Sequence, residues 1–202
     1  MKSRLCIFTR VPRLGAVKSR LAATLGAEEA LAAHCELVEN ALAGLAAIPG
    51  IDTELWLDGA PDATVSAWLE RWPMRLRRQH GAELGARMYH ALADCLATGH
   101  AGIVVGTDCP ELDAAYVSRA AAVLARHDVV LGPAEDGGFG LVGLARPAFG
   151  VFDGVAWGGP QALSGTLANA MRLRLRTCLL PQIWDVDTFP DWERWQRRRA
   201  RG

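Results

Sequence analysis

Cysteine is scarce in this chain and comes in no pattern. The five cysteines, at positions 6, 35, 95, 109 and 178, are odd in number and form no CxxC pair. That excludes a disulfide framework or a zinc ribbon as the organising device, and reduced thiols in a cytoplasm are the natural reading. Charge of one sign is not in excess either: 22 basic residues balance 22 acidic ones. Sequence-independent binding to nucleic acid needs a basic surplus, so nucleic acid is not an expected partner. No apolar run nears the ~20 residues that cross a bilayer, and residues 1–8 lack the long apolar stretch of a signal peptide. The five histidines, at positions 34, 80, 90, 100 and 127, have no metal-ligand spacing. The phosphate loop GxxxxGK[ST] and the dinucleotide fingerprint GxGxxG are also missing.

What is present is an apolar half of the composition and an alternation of strand-like and helix-like segments. The 202 residues suit one α/β domain spanning 1–202. Strands are expected at 5–8, 51–59, 74–79, 101–106, 128–133 and 139–144. Helices are expected at 28–47, 62–72, 82–99, 114–127, 159–174 and 190–200, from spacing of apolar residues and from stops such as Pro49-Gly50 and Gly99. Such an order implies a mainly parallel sheet with helices on both faces and right-handed crossovers. Ligands of such sheets sit beyond the carboxyl ends of the strands, so the loops after strands carry the information.

Four loops stand out. "FTRVPRLGAVKSRLA" (8–22) follows the first strand and places Arg10, Arg13, Lys18 and Arg20 within eleven residues. Arginine forks, a lysine point charge and a following helix suit phosphate. The plain alternative is a solvated basic loop, and the loop's place after a strand favours phosphate. "GTDCP" (106–110) puts Asp108 at the mouth of a buried strand. Beside a phosphate it suits a hard divalent cation, since Mg²⁺ takes one or two carboxylates plus phosphate oxygens. It equally suits the N-cap of the next helix, with Pro110 in the first turn. "GPAEDGGFGLVG" (132–143) carries Asp136 before two glycines, which is both a good turn and a place where a ligand can approach backbone. "WDVDTFPDWERW" (184–195) holds Asp185 and Asp187, two apart and so on one side of an extended segment; Thr188 or Asp191 is placed to cap the last helix. Trp157, in "VAWGGPQAL", stands in a loop and is placed to line an acceptor pocket. The terminal "RWQRRRARG" reads as a frayed, solvated helix end.

The combination is more specific than its parts. "FTRVPRLGAVKSRL", "QHGAELGARM", "VVGTDCPEL", "GPAEDGGFGLVGL" and "DVDTFPDW", in this order, resemble the bacterial family of GT-A-like transferases known as domain of unknown function 2064. That family includes arsenosugar-biosynthesis glycosyltransferases and is similar to the wider nucleotide-diphospho-sugar transferase superfamily, phospholactate guanylyltransferases among them. The resemblance covers residues 5 to about 195. It implies a Rossmann-like GT-A fold. It further implies that Lys18, Arg10 and Arg20 hold nucleotide phosphates, that Gln79 and Gly85 lie near the base, and that Asp108 and Asp187 bind Mg²⁺ or Mn²⁺. Asp136 would face the sugar or acceptor, and Asp108, Asp136 and Lys18 would carry the chemistry. The partners implied are a nucleotide or nucleotide-sugar donor and a small-molecule acceptor. The reaction implied is glycosyl transfer, with nucleotidyl transfer and pyrophosphate release as the alternative. Phe139-Gly140 stands where the family often has two tyrosines, and "WGGPQ" and "TFPDW" also depart from its pattern, all on the acceptor side. The sequence leaves the oligomeric state, a homodimer included, open.

Overall fold

Alternation of side chains along the first strand sets the layering. In the computed structural model, which describes residues 2–200, Lys2–Arg10 form β1. Leu5 and Ile7 point to one face of the sheet, Cys6 and Phe8 to the other. β1 pairs in parallel with β2 (Ile51–Asp58) on one side and β4 (His100–Gly106) on the other. β3 (Arg75–Arg78) flanks β2. Beyond β4 come β6 (Phe139–Leu144), β5 (Val129–Pro133) and β7 (Thr177–Leu179), giving the order β3-β2-β1-β4-β6-β5-β7. Among these strands β6 alone runs against its neighbours; the sheet is otherwise parallel, as the α/β alternation implies.

Helices cover both faces. α2 (Ala27–Leu45), α3 (Ala63–Arg71) and α5 (Ala114–Leu124) pack on the face of Leu5 and Ile7 through Val38, Leu42, Leu45, Trp68, Val117 and Leu124. α4 (Leu84–Ala97) and α6 (Ala162–Arg172) cover the face of Cys6 and Phe8 through Met88, Leu92, Cys95 and Ala170. Each fully buried Leu, Ile or Val contributes roughly 1.5–3 kcal/mol, so these layers supply the driving force.

Three details differ from the expectation. A short helix α1 (Ser19–Leu25) precedes α2, and Gly26, at φ 92°, breaks the chain between them. β7 was not expected; its three residues are too few to show a period. The basic tail is not frayed up to Arg199. α7 (Phe189–Arg199) is capped where expected, the Asp191 carboxylate accepting the Thr188 N–H at 2.8 Å. Its arginines are paired: Arg194 with Glu135 at 2.7 Å, Arg198 with Glu111, and Arg199 with Glu36. Residues 201 and 202 of that tail lie outside the described residues. All five cysteines are free thiols. Among the described residues no helix is long and apolar enough to cross a membrane.

Candidate functional site

The carboxyl ends of β1, β2 and β4 and the start of the reversed β6 surround one cavity of about 760 Å³. Its lining takes in Arg10, Lys18, Arg20, Gln79, Asp108, Asp136, Asp185 and Asp187. The four loops singled out by sequence therefore converge on one space.

Lys18 is fixed by its backbone before its side chain is considered. It is the N-cap of α1 with φ 49° and ψ 47°, a left-handed conformation that costs a non-glycine residue of order 1–3 kcal/mol. The bend turns the side chain inward, where it is only 5% exposed. Its ammonium donates to the carbonyl of Val186 at 2.6 Å and lies 2.6 Å from Asp108 Oδ1. The Val186 N–H in turn donates to the Asp108 carbonyl at 2.9 Å. The 184–188 segment is thus laced to both Lys18 and the loop after β4.

That lacing delivers the acids. Val186 is fully buried, and its neighbours Asp185 and Asp187 both face the cavity, the one-sided placement their spacing predicts. Burial pushes the Asp185 carboxyl up to about 6, and the carboxylates of Asp136, Asp187 and Asp108 add to the effect. Asp187 is paired with Arg20 at 2.6 Å, and Arg20 also reaches the Gly158 carbonyl. Asp108 is not a helix cap. Asp113 fills that role for α5, accepting the Tyr116 N–H at 2.8 Å. Asp108 keeps half of its side chain exposed to the cavity instead.

Asp136 closes the β5–β6 hairpin by accepting the Gly138 N–H at 2.8 Å, and it also lines the cavity. The turn reading of "DGG" holds, and the turn faces the cavity. Trp157 forms the wall above, edge-on to Phe139 and Phe152. Gly85 is buried and does not itself line the cavity; a Cβ there would sit 2.6 Å from the Trp157 ring. Arg10 lies away from Lys18's acids, 3.8 Å from Asp58, and is two-thirds exposed.

Two lining residues were not singled out from sequence. His34 of α2 donates through Nε2 to the Arg10 carbonyl, and burial lowers its pKa. Asp58 ends β2 and is held by Arg87 at 2.6 Å. Its only sequence signal is its place at the end of the alternating run "IDTELWLDG".

Oxygen ligands suit Mg²⁺ and Mn²⁺, and Asp108 and Asp187 are partly exposed carboxylates on one cavity. Among the described residues no group of three or more His, Cys, Asp or Glu is arranged to hold a metal. Two carboxylates are the share of protein ligands that such a cation takes beside phosphate and water; here each is paired with a cationic side chain of the first loop and helix, Asp108 with Lys18 and Asp187 with Arg20.

The profile of the bacterial family described as "Uncharacterized protein conserved in bacteria (DUF2064)" matches residues 41–159. The chain belongs to the DUF2064 family. No curated protein matches it. It is similar over 98% of its length, at 30% identity and a TM-score of 0.86, to a proposed nucleotide-diphospho-sugar transferase from Desulfovibrio desulfuricans G20, covering 87% of that chain. More distant likenesses show the shared fold alone. One is a 4-diphosphocytidyl-2C-methyl-D-erythritol synthase from Anaerococcus prevotii, with 7% identity, TM-score 0.67, and 98% and 96% of the two chains covered. Another is a cytidylyltransferase from Leptospira borgpetersenii, with 11% identity, TM-score 0.61, and 97% and 85% covered. This DUF2064 chain therefore has the Rossmann-like GT-A architecture.

Proposed function

We propose that this protein is a divalent-metal-dependent transferase that uses a nucleotide-activated donor, moving a glycosyl group from a nucleotide-diphospho-sugar to a small-molecule acceptor. One observation carries the reading: Lys18 and Arg20 meet Asp108 and Asp187 across a single cavity at the carboxyl ends of the strands. The 30%-identical relative described as a nucleotide-diphospho-sugar transferase supports the same class.

In this reading Lys18 and Arg20 bind the diphosphate and neutralise the charge that grows on it as it leaves. Asp108 and Asp187 hold Mg²⁺ or Mn²⁺, which when bound supplies Lewis-acid stabilisation of that leaving group. Asp136 takes the acceptor's proton, and Trp157 presents an apolar wall to the acceptor. Gln79 meets the base. Positioning and electrostatics do most of the work, so the same cavity suits nucleotidyl transfer as the second reading.

Product analysis with a panel of nucleotide sugars and of nucleoside triphosphates plus phosphorylated acceptors, each with Mn²⁺, tests this. Release of nucleoside diphosphate is the expected result. Pyrophosphate release replaces the first reading by the second, and turnover of neither panel overturns both.

A further inference from the structure

We infer that the donor's base is guanine, read by a row of three side chains at the sheet's carboxyl edge; this rests on the nucleotide-donor reading above. The row follows from strand register. Arg10 of β1 is the register partner of Asp58 in β2. Leu57 pairs with Arg78 in β3, which brings Asp58 level with the next residue, Gln79. All three line the cavity.

The orientation of Gln79 is set by backbone. Its amide nitrogen donates to the Trp56 carbonyl at 2.9 Å and to the Thr9 carbonyl at 3.2 Å. Both N–H groups are thereby used, and a carbonyl oxygen cannot trade places with them without facing other carbonyls. Oε1 is left as the acceptor of that amide, and no described residue donates to it. Asp58 is a second acceptor: Arg87 occupies Oδ2 at 2.6 Å, while no described residue donates to Oδ1. Arg10, 3.8 Å from Asp58 and largely exposed, is a donor on the far flank.

The order across the row is acceptor, acceptor, donor. Among the four common bases one edge is its complement. Guanine presents the N2 amino group, N1–H and O6 in the order donor, donor, acceptor. Uracil places one N–H between two carbonyls, cytosine one amino group beside two acceptors, and adenine one amino group beside a bare nitrogen. Each of these would leave at least one acceptor of the row facing an acceptor, a mismatch that a site built for hydrogen bonds rejects.

Calorimetric titration of the full chain with GDP, IDP, UDP, CDP and ADP, with Mn²⁺ present, tests the assignment. GDP is expected to bind roughly ten- to a hundred-fold tighter than UDP, CDP or ADP, the discrimination a good paired contact gives. IDP, which lacks the N2 amino group, is expected to fall about tenfold below GDP. Asp58→Asn should shrink the GDP advantage to a few-fold. UDP, CDP or ADP binding as tightly as GDP overturns the base assignment and leaves the donor reading intact, as does IDP matching GDP. No binding of any of the five overturns the donor reading, and the base assignment with it. The wild-type panel decides even where the Asp58 variant fails to fold.

Discussion

Lys18 and Asp108, ninety residues apart in sequence, form an ion pair of 2.6 Å whose lysine is buried and whose carboxylate is half exposed. The lysine has no other place to go: its backbone is bent left-handed to reach there, and its second donor is taken by Val186. In the proposed reading an incoming diphosphate meets a cation already in position. Lys18→Ala should weaken nucleoside-diphosphate binding about ten- to a hundred-fold, as a charge-assisted contact would. Isothermal titration checks it, with circular dichroism showing an unchanged fold.

Asp108→Asn removes the charge that faces a buried ammonium. Lys18 is only 5% exposed, so the pair is not a surface one, and the variant leaves that cation with the uncharged Val186 carbonyl as its remaining partner. Urea unfolding should show a loss of about 1–3 kcal/mol, and turnover should fall by two orders of magnitude or more if the acid holds the cation. Chelation of divalent cations in the wild type should reproduce that loss and be reversed by Mn²⁺.

Asp185 is the opposite case. Its carboxyl is held near 6 by burial and by Asp136, Asp187 and Asp108, so at about pH 7.5 it is ionised at a cost to the fold. Asp185→Asn should raise the stability of the ligand-free protein by about 1–2 kcal/mol at that pH, after discounting for partial exposure. Urea unfolding measures it; a loss of stability would contradict the arrangement of four converging acids.

Acid sensitivity should centre on Asp128. It is 6% exposed and bound by Arg176 through its backbone N–H at 2.9 Å and its guanidinium at 3.0 Å, and by Arg146 at 3.1 Å. The Arg176 hydrogen bonds hold its carboxyl well below the usual carboxylate range. A depressed folded value means that the stabilisation is complete above the ordinary carboxylate pKa of about 4 and is lost as pH falls below it. Asp128→Asn should cost about 2–3 kcal/mol at neutral pH. The gap between wild type and variant should begin to close below about pH 4 and keep narrowing to the lowest pH at which the fold persists, read by thermal melts.

Gly85→Ala should act on the acceptor wall. The added methyl would sit 2.6 Å from Trp157, so the ring must move. A loss of about 1–3 kcal/mol is expected from overpacking. The KM for the acceptor should rise more than the KM for the donor, as steady-state kinetics would show.

Much of this site was legible before any coordinates because the chemistry sits in loops with sharp composition. "VVGTDCPEL" announces an acid at a strand mouth, and the spacing of Asp185 and Asp187 places both in the cavity. What resisted reading was relational. That Asp108 is not a cap depends on Asp113 starting α5 five residues later. β6 shows the same apolar run as β4 and β5, which it opposes, so its reversal is set by the tight Asp136 turn rather than by any periodicity. Gly85 sits beside "QHGAELGARM" like a ligand contact, yet its neighbour is a tryptophan seventy residues away. Asp58 and His34 carry no motif; register and packing alone bring them to the cavity.

The arginines of α7 reach three separate parts of the molecule: Glu36 on α2, Glu111 after β4 and Glu135 on the hairpin that carries Asp136. The last helix is in effect a belt buckled by surface ion pairs around the acidic rim. Such buckles weaken with ionic strength, while the apolar layers beneath do not. Salt should therefore slacken the rim long before it softens the core.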